Sequence, residues 1–92
     1  MRIRVRYFNI LSLYTNCKDE VITLSSALPL LELIHHLASK YPGGFAQVTL
    51  AKGELAPHLR VFVNNKSLGW QDGDFIINDN DEVMLFPAVA GG

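Results

Sequence analysis

Arg2-Ile3-Arg4-Val5-Arg6-Tyr7 alternates without a break, with Ile3, Val5 and Tyr7 on one side of an extended chain and Arg2, Arg4 and Arg6 on the other. Successive side chains of a strand point to opposite faces, so this stretch predicts a strand with one buried and one charged face. After a polar turn region from Asn16 to Glu20, Val21-Ile22-Thr23-Leu24 predicts a second strand. The spacing suggests an antiparallel hairpin with a long, irregular loop around Ser12 to Lys18.

The period then changes. Leu30, Leu33, Ile34, Leu37 and Tyr41 recur at helical spacing, while Glu32, His35, His36, Ser39 and Lys40 fall mostly on other faces. This predicts one amphipathic helix of about four turns. Ser25 and Ser26 are the expected N-caps, Pro29 suits the first turn, Glu32 lies near the positive end, and Pro42-Gly43-Gly44 stops the helix. Phe45 to His58, broken by Gly53 and Pro57, reads as a loop holding a short element. Leu59-Arg60-Val61-Phe62-Val63 predicts a strand closed by Asn64-Asn65, and Leu68 to Trp70 a short edge strand. Asp72-Gly73-Asp74 and Asn78-Asp79-Asn80-Asp81 read as turns, and Glu82 to Phe86 as the last strand.

Strand, strand, helix, strand, short strand, strand makes an α+β domain with one main helix on one face of a sheet. Extending the alternation, Ile3, Val5, Tyr7, Val61, Val63, Val83 and Leu85 should face the helix. Arg2, Arg4, Arg6, Phe8, Arg60, Phe62, Met84 and Phe86 should face away. Three Phe, one Met and four Arg on one surface is a mixture enriched at protein interfaces, so Phe8, Phe62, Met84, Phe86, Arg4, Arg6 and Arg60 are the expected partner-binding residues.

Composition narrows the function. Ninety-two residues suffice for a single domain, 1–92, and 49% apolar with 18% charged residues favours a folded globule. No apolar run approaches the roughly 20 residues of a membrane span, and the N-terminal alternation is unlike a signal peptide, so a cytoplasmic protein is expected. The lone Cys17 agrees with a reducing compartment, and its polar neighbours suggest an exposed loop. A net charge of −1, with Arg2, Arg4 and Arg6 at the start and Asp72, Asp74, Asp79, Asp81 and Glu82 near the end, carries no nucleic-acid signature.

Chemical motifs are absent from the interior of the chain. His35 and His36 are adjacent on the helix and point about 100° apart, so they cannot share a metal, and no Cys/His/carboxylate spacing makes one. The acidic stretch lacks the spacing of a calcium loop. Nothing pairs Cys17, Ser12 or Ser67 with a histidine base, so no catalytic site of its own is expected.

The handle lies at Ala90-Gly91-Gly92. Residues 87–92 read as a projecting tail, with Pro87 ending the sheet pairing. Glycine has no Cβ, so Gly91 and Gly92 could thread a channel too narrow for side chains. The Gly92 carboxylate would be an unhindered acyl group, but as an anion it requires activation by a partner with a nucleotide.

With this order of elements, the chain resembles the β-grasp sulfur carriers of the MoaD/ThiS type, which share the ubiquitin fold, and is most similar to small subunits of molybdopterin synthase. The carrying residues are Ile3-Arg4-Val5-Arg6-Tyr7-Phe8, Val61-Phe62-Val63-Asn64, and Asp81-Glu82-Val83 running into Leu85-Phe86-Pro87-Ala88-Val89-Ala90-Gly91-Gly92. It departs from the family pattern at Asn64-Asn65-Lys66, where many relatives have Asn-Gly, and at Phe75-Ile76-Ile77-Asn78. The resemblance implies that a ubiquitin-activating-type adenylyltransferase uses ATP to adenylate Gly92, that sulfur then gives a thiocarboxylate, and that the large subunit of molybdopterin synthase receives the tail. It implies no bound cofactor. Two other fates remain open: a carrier for thiamine, cysteine or tRNA thiolation or a protein modifier, and a docking module without tail chemistry.

Overall fold

A computed structural model describes residues 1–87. Its centre is a five-stranded mixed sheet built from β1 (Arg2–Tyr7), β2 (Asp19–Thr23), β6 (Leu59–Val63), β7 (Lys66–Leu68) and β9 (Glu82–Pro87), in the order β2-β1-β9-β6-β7. The first and last strands run parallel at the middle, with Val5 opposite Val83 and Tyr7 opposite Leu85. Their outer neighbours are antiparallel. Helix α2 (Leu30–Lys40) covers one face, burying Leu30, Leu33, Ile34 and Leu37 against Ile3, Val5, Tyr7, Val61, Val63, Val83 and Leu85. Both buried sets are those the two periodicities select, except that Tyr41 lies just beyond α2 and is partly buried, and the result is the β-grasp arrangement.

The helix begins later than the serines suggest. Leu28–Pro29 (β3) is extended and pairs with Ile76–Ile77 (β8), so the N-cap falls on Pro29 and neither Ser25 nor Ser26 caps it. Four elements lie where the sequence suggests a loop or a loop with one short element. Helix α1 (Ile10–Thr15) fills the first connection, while α3 (Gly44–Thr49) and the hairpin β4 (Leu50–Ala51) to β5 (Glu54–Leu55) fill the stretch from Phe45 to His58. The two short helices share one device. Each buries an apolar residue and a threonine four positions on, and the threonine hydroxyl donates back to that residue's carbonyl: Thr15 Oγ1 to Leu11 O and Thr49 Oγ1 to Phe45 O, both at 2.8 Å. A buried hydroxyl is thereby satisfied without a tertiary partner.

The Gly43-Gly44 pair separates α2 from α3. Gly43 sits at φ 107°, a backbone angle that side chains resist, and a Cβ on Gly44 would run into the ring of Tyr14. Asn64 and Asn65, at φ 50° and 72°, form the tight turn between β6 and β7. Cys17 differs from its expected setting: it is partly buried and packs against the core.

Candidate functional site: an aromatic sheet face beside the last strand

Among the described residues no helix covers the sheet face opposite α2. Phe8, Phe62, Met84 and Phe86 are partly buried there, Arg4 and Arg60 are exposed, and Arg6 is intermediate. The register explains the grouping, because Phe86 lies opposite Arg60, and Met84 opposite both Arg6 and Phe62. The rings form a continuous run: Phe8 stacks on Phe86 with centroids 4.0 Å apart, and Phe62 meets Phe86 edge-on at 5.5 Å. The Arg6 guanidinium lies over Phe8, 5.4 Å from its centroid, and Arg4 pairs with Asp19 at 3.3 Å. Desolvating such rings against a partner is favourable, and the flanking guanidinium groups can take carboxylates.

Strand β9 carries Met84 and Phe86 and continues one residue further than expected. Pro87 is the last strand residue, buried and opposite Leu59, rather than the residue that ends the pairing. Its missing N–H costs nothing here. Odd-numbered residues of β9 turn their backbone groups toward β1, as Leu85 O does in accepting from Phe8 N, and β1 has already turned away beside Pro87. Residues 88–92, the rest of the expected tail with Ala90, Gly91 and Gly92, lie outside the described residues.

The buried side contains one ionised group that sequence patterning did not single out. Glu20 on β2 accepts from Tyr7 Oη at 2.6 Å, from Lys40 Nζ at 2.7 Å and from Tyr41 Oη. Partial burial works to raise its pKa, but the bonds from Lys40, Tyr41 and Tyr7 outweigh it and hold the carboxyl below the usual glutamate value. Burial beside this carboxylate pushes both phenols above the ordinary tyrosine range. Neutral phenols donating to a carboxylate describe a structural clamp between β1, β2 and the end of α2, without a group poised for proton transfer near neutrality.

The remaining sequence candidates stay apart. His35 Nε2 lies 2.9 Å from Gly53 O, and a carbonyl only accepts, so this nitrogen bears the proton. Among the described residues no group of three or more His, Cys, Asp or Glu side chains could hold a metal ion. The acidic stretch forms turns: Asp79 Oδ1 accepts from Arg2 N, and Asp81 accepts from Asn78 N and Asn64 Nδ2, each at 2.7 Å. Among the described residues no helix is long and apolar enough to cross a membrane.

Comparison with known proteins adds an independent line. The sequence profile of the ThiS family matches residues 5–92. Among solved structures, the Haloferax volcanii HVO 2177 protein is similar at 27% identity and a TM-score of 0.85, covering 100% of this chain and 87% of that one. SAMP1 from Haloferax volcanii shares the fold at 21% identity and a TM-score of 0.78, with 100% of both chains covered. A candidate molybdopterin converting factor subunit 1 from Pyrococcus furiosus does so at 21% identity and 0.75, covering 97% and 99%. No curated protein sequence matches this one.

Proposed function

The chain belongs to the ThiS family of ubiquitin-like sulfur carriers, and from that premise we propose that it carries sulfur as a thiocarboxylate on Gly92 and delivers it in molybdopterin synthesis, as the small subunit of molybdopterin synthase. A carboxylate oxygen of Gly92 attacks the α-phosphorus of ATP in a ubiquitin-activating-type adenylyltransferase and displaces pyrophosphate. A hydrosulfide-level nucleophile then attacks the acyl carbon and expels AMP. The partners contribute the catalytic groups, and the reaction takes place in the cytoplasm. This chain contributes a grip and a thin acyl end.

The observation that supports this reading most is the junction of the aromatic face with the last strand. Phe86 belongs to the run of rings, and Pro87 is the next residue. The chain from residue 88 to residue 92 spans at most about 17 Å when extended, so a partner seated on Phe8, Phe62 and Phe86 has its catalytic centre within that radius. The similarity to molybdopterin converting factor subunit 1 favours the pterin pathway as destination. The comparable likeness to SAMP1 makes a protein modifier the nearest rival.

Appending one residue after Gly92 tests the carrier role. Adenylation should be lost while affinity for the adenylyltransferase stays within about twofold, and a chain that acts solely as a docking module would keep its full function. Co-purification with the large synthase subunit is expected. Recovery instead as isopeptide conjugates on lysines would decide for the modifier.

A further inference from the structure

Asn9 adopts φ 55° and ψ −134°, angles that glycine takes readily and residues with a side chain avoid. Such strain persists only where surrounding contacts hold it, and the contacts here point at the end of β9. The carbonyl of Asn9 accepts from Ser12 N at 3.2 Å and Ser12 Oγ at 2.9 Å, fixing the start of α1. Its side-chain amide reaches the other way, with Nδ2 donating to Pro87 O at 3.2 Å.

The position of that bond is set by the ladder. Between β1 and β9 the rungs advance two residues at a time: Arg4 N donates to Asp81 O, and Phe8 N to Leu85 O, both at 3.1 Å. One step further, the acceptor is Pro87 O and the donor would be the amide of residue 10. The chain has by then turned into α1, so that donor is withdrawn, and the Asn9 side chain supplies the rung in its place. Glycine would relax the turn but could not make this bond.

We propose that Asn9 is a positioning residue for the carboxyl tail: its amide extends the parallel ladder by one rung and fixes the carbonyl of Pro87, the root from which the acyl end is presented to the partner's catalytic centre. This rests on the carrier reading above. Presenting an acyl end from a fixed root lowers the ordering cost that the activating enzyme must meet. The backbone strain is the counterpart of that function.

The test uses the full chain and the variants Asn9→Gly and Asn9→Ala. ATP–pyrophosphate exchange with the ubiquitin-activating-type adenylyltransferase gives kcat and KM for the carrier. Thermal unfolding gives stability, and amide hydrogen exchange at Phe86, opposite Arg60, reports on the strand end. Asn9→Gly loses the rung and the strain together, so its midpoint should stay near that of the parent; Asn9→Ala keeps the strain and should melt lower. In both, kcat/KM should fall about three- to tenfold, the range given by one net hydrogen bond. Exchange at Phe86 should quicken comparably while Val83 is unchanged. Activity that follows the melting temperature, or unaltered exchange at Phe86, would overturn the assignment. A parent chain that is never adenylated, with exchange behaving as expected, would defeat the carrier reading and leave the anchoring bond intact.

Discussion

Replacing Glu20 by Gln removes one charge and little volume from the clamp that joins β1, β2 and α2. Two phenol hydroxyls and Lys40 converge on that carboxylate, whose side chain is 17% exposed. The glutamine carbonyl can still accept both phenols, but its NH2 must face the ammonium of Lys40. A hydrogen bond to a charged group contributes about 1.5–3 kcal/mol against about 0.5–1.5 for a neutral one, so the two phenols lose about 2 kcal/mol together. The Lys40 pair adds under about 1 kcal/mol, because that side chain is 45% exposed and screened. For a domain of this size the sum lowers the melting midpoint by about 8–24 °C near neutral pH. The pH dependence is the sharper part. Because Glu20 titrates below its ordinary value of 4.5 in the folded chain, its stabilisation is complete above that value and is lost as pH falls through the lower folded one. Circular dichroism melts at pH 7 and pH 3 should therefore show a wide gap between parent and variant that narrows in acid. A gap that is absent at pH 7, or equally wide at pH 3, would refute the clamp.

Three further substitutions probe the face and the helix junction. Phe62→Ala should weaken binding to the adenylyltransferase about 30-fold by calorimetry, the loss of about 2 kcal/mol typical of a buried aromatic anchor. Ile76→Ala, on an exposed apolar residue away from that face, should leave binding unchanged. Gly43→Ala meets no atom within 4 Å yet must hold φ 107°, so urea denaturation should report a loss of about 1–3 kcal/mol from backbone strain alone.

The long periodic segments were legible because burial imposes their pattern directly. Strict alternation from Arg2 to Tyr7 and the helical spacing from Leu30 to Tyr41 each select one face, and those faces form the core. The same alternation separated Phe8, Phe62, Met84 and Phe86 from it. Helices α1 and α3 escaped for a physical reason: each has six residues and buries only two side chains, too few for periodicity to register. Their shared signal, an apolar residue followed by threonine four positions on, is local and weak. The start of α2 was misplaced because tertiary pairing of Leu28–Pro29 with Ile76–Ile77 overrode the capping preference of the serines. Pairing partners also explain Pro87, which ends a strand rather than a sheet contact, since its missing donor faces a neighbour that has gone. The clamp at Glu20 and the rung at Asn9 join residues far apart in sequence, and no spacing rule announces either.

The central claim is that Gly92 becomes a thiocarboxylate. Incubating the chain with its adenylyltransferase, ATP and a sulfur donor, then recording the intact mass, tests it most directly. The account predicts an increase equal to replacement of one oxygen by sulfur, located in the C-terminal peptide. An unchanged mass in an assay that thiocarboxylates another ThiS-family carrier would contradict it.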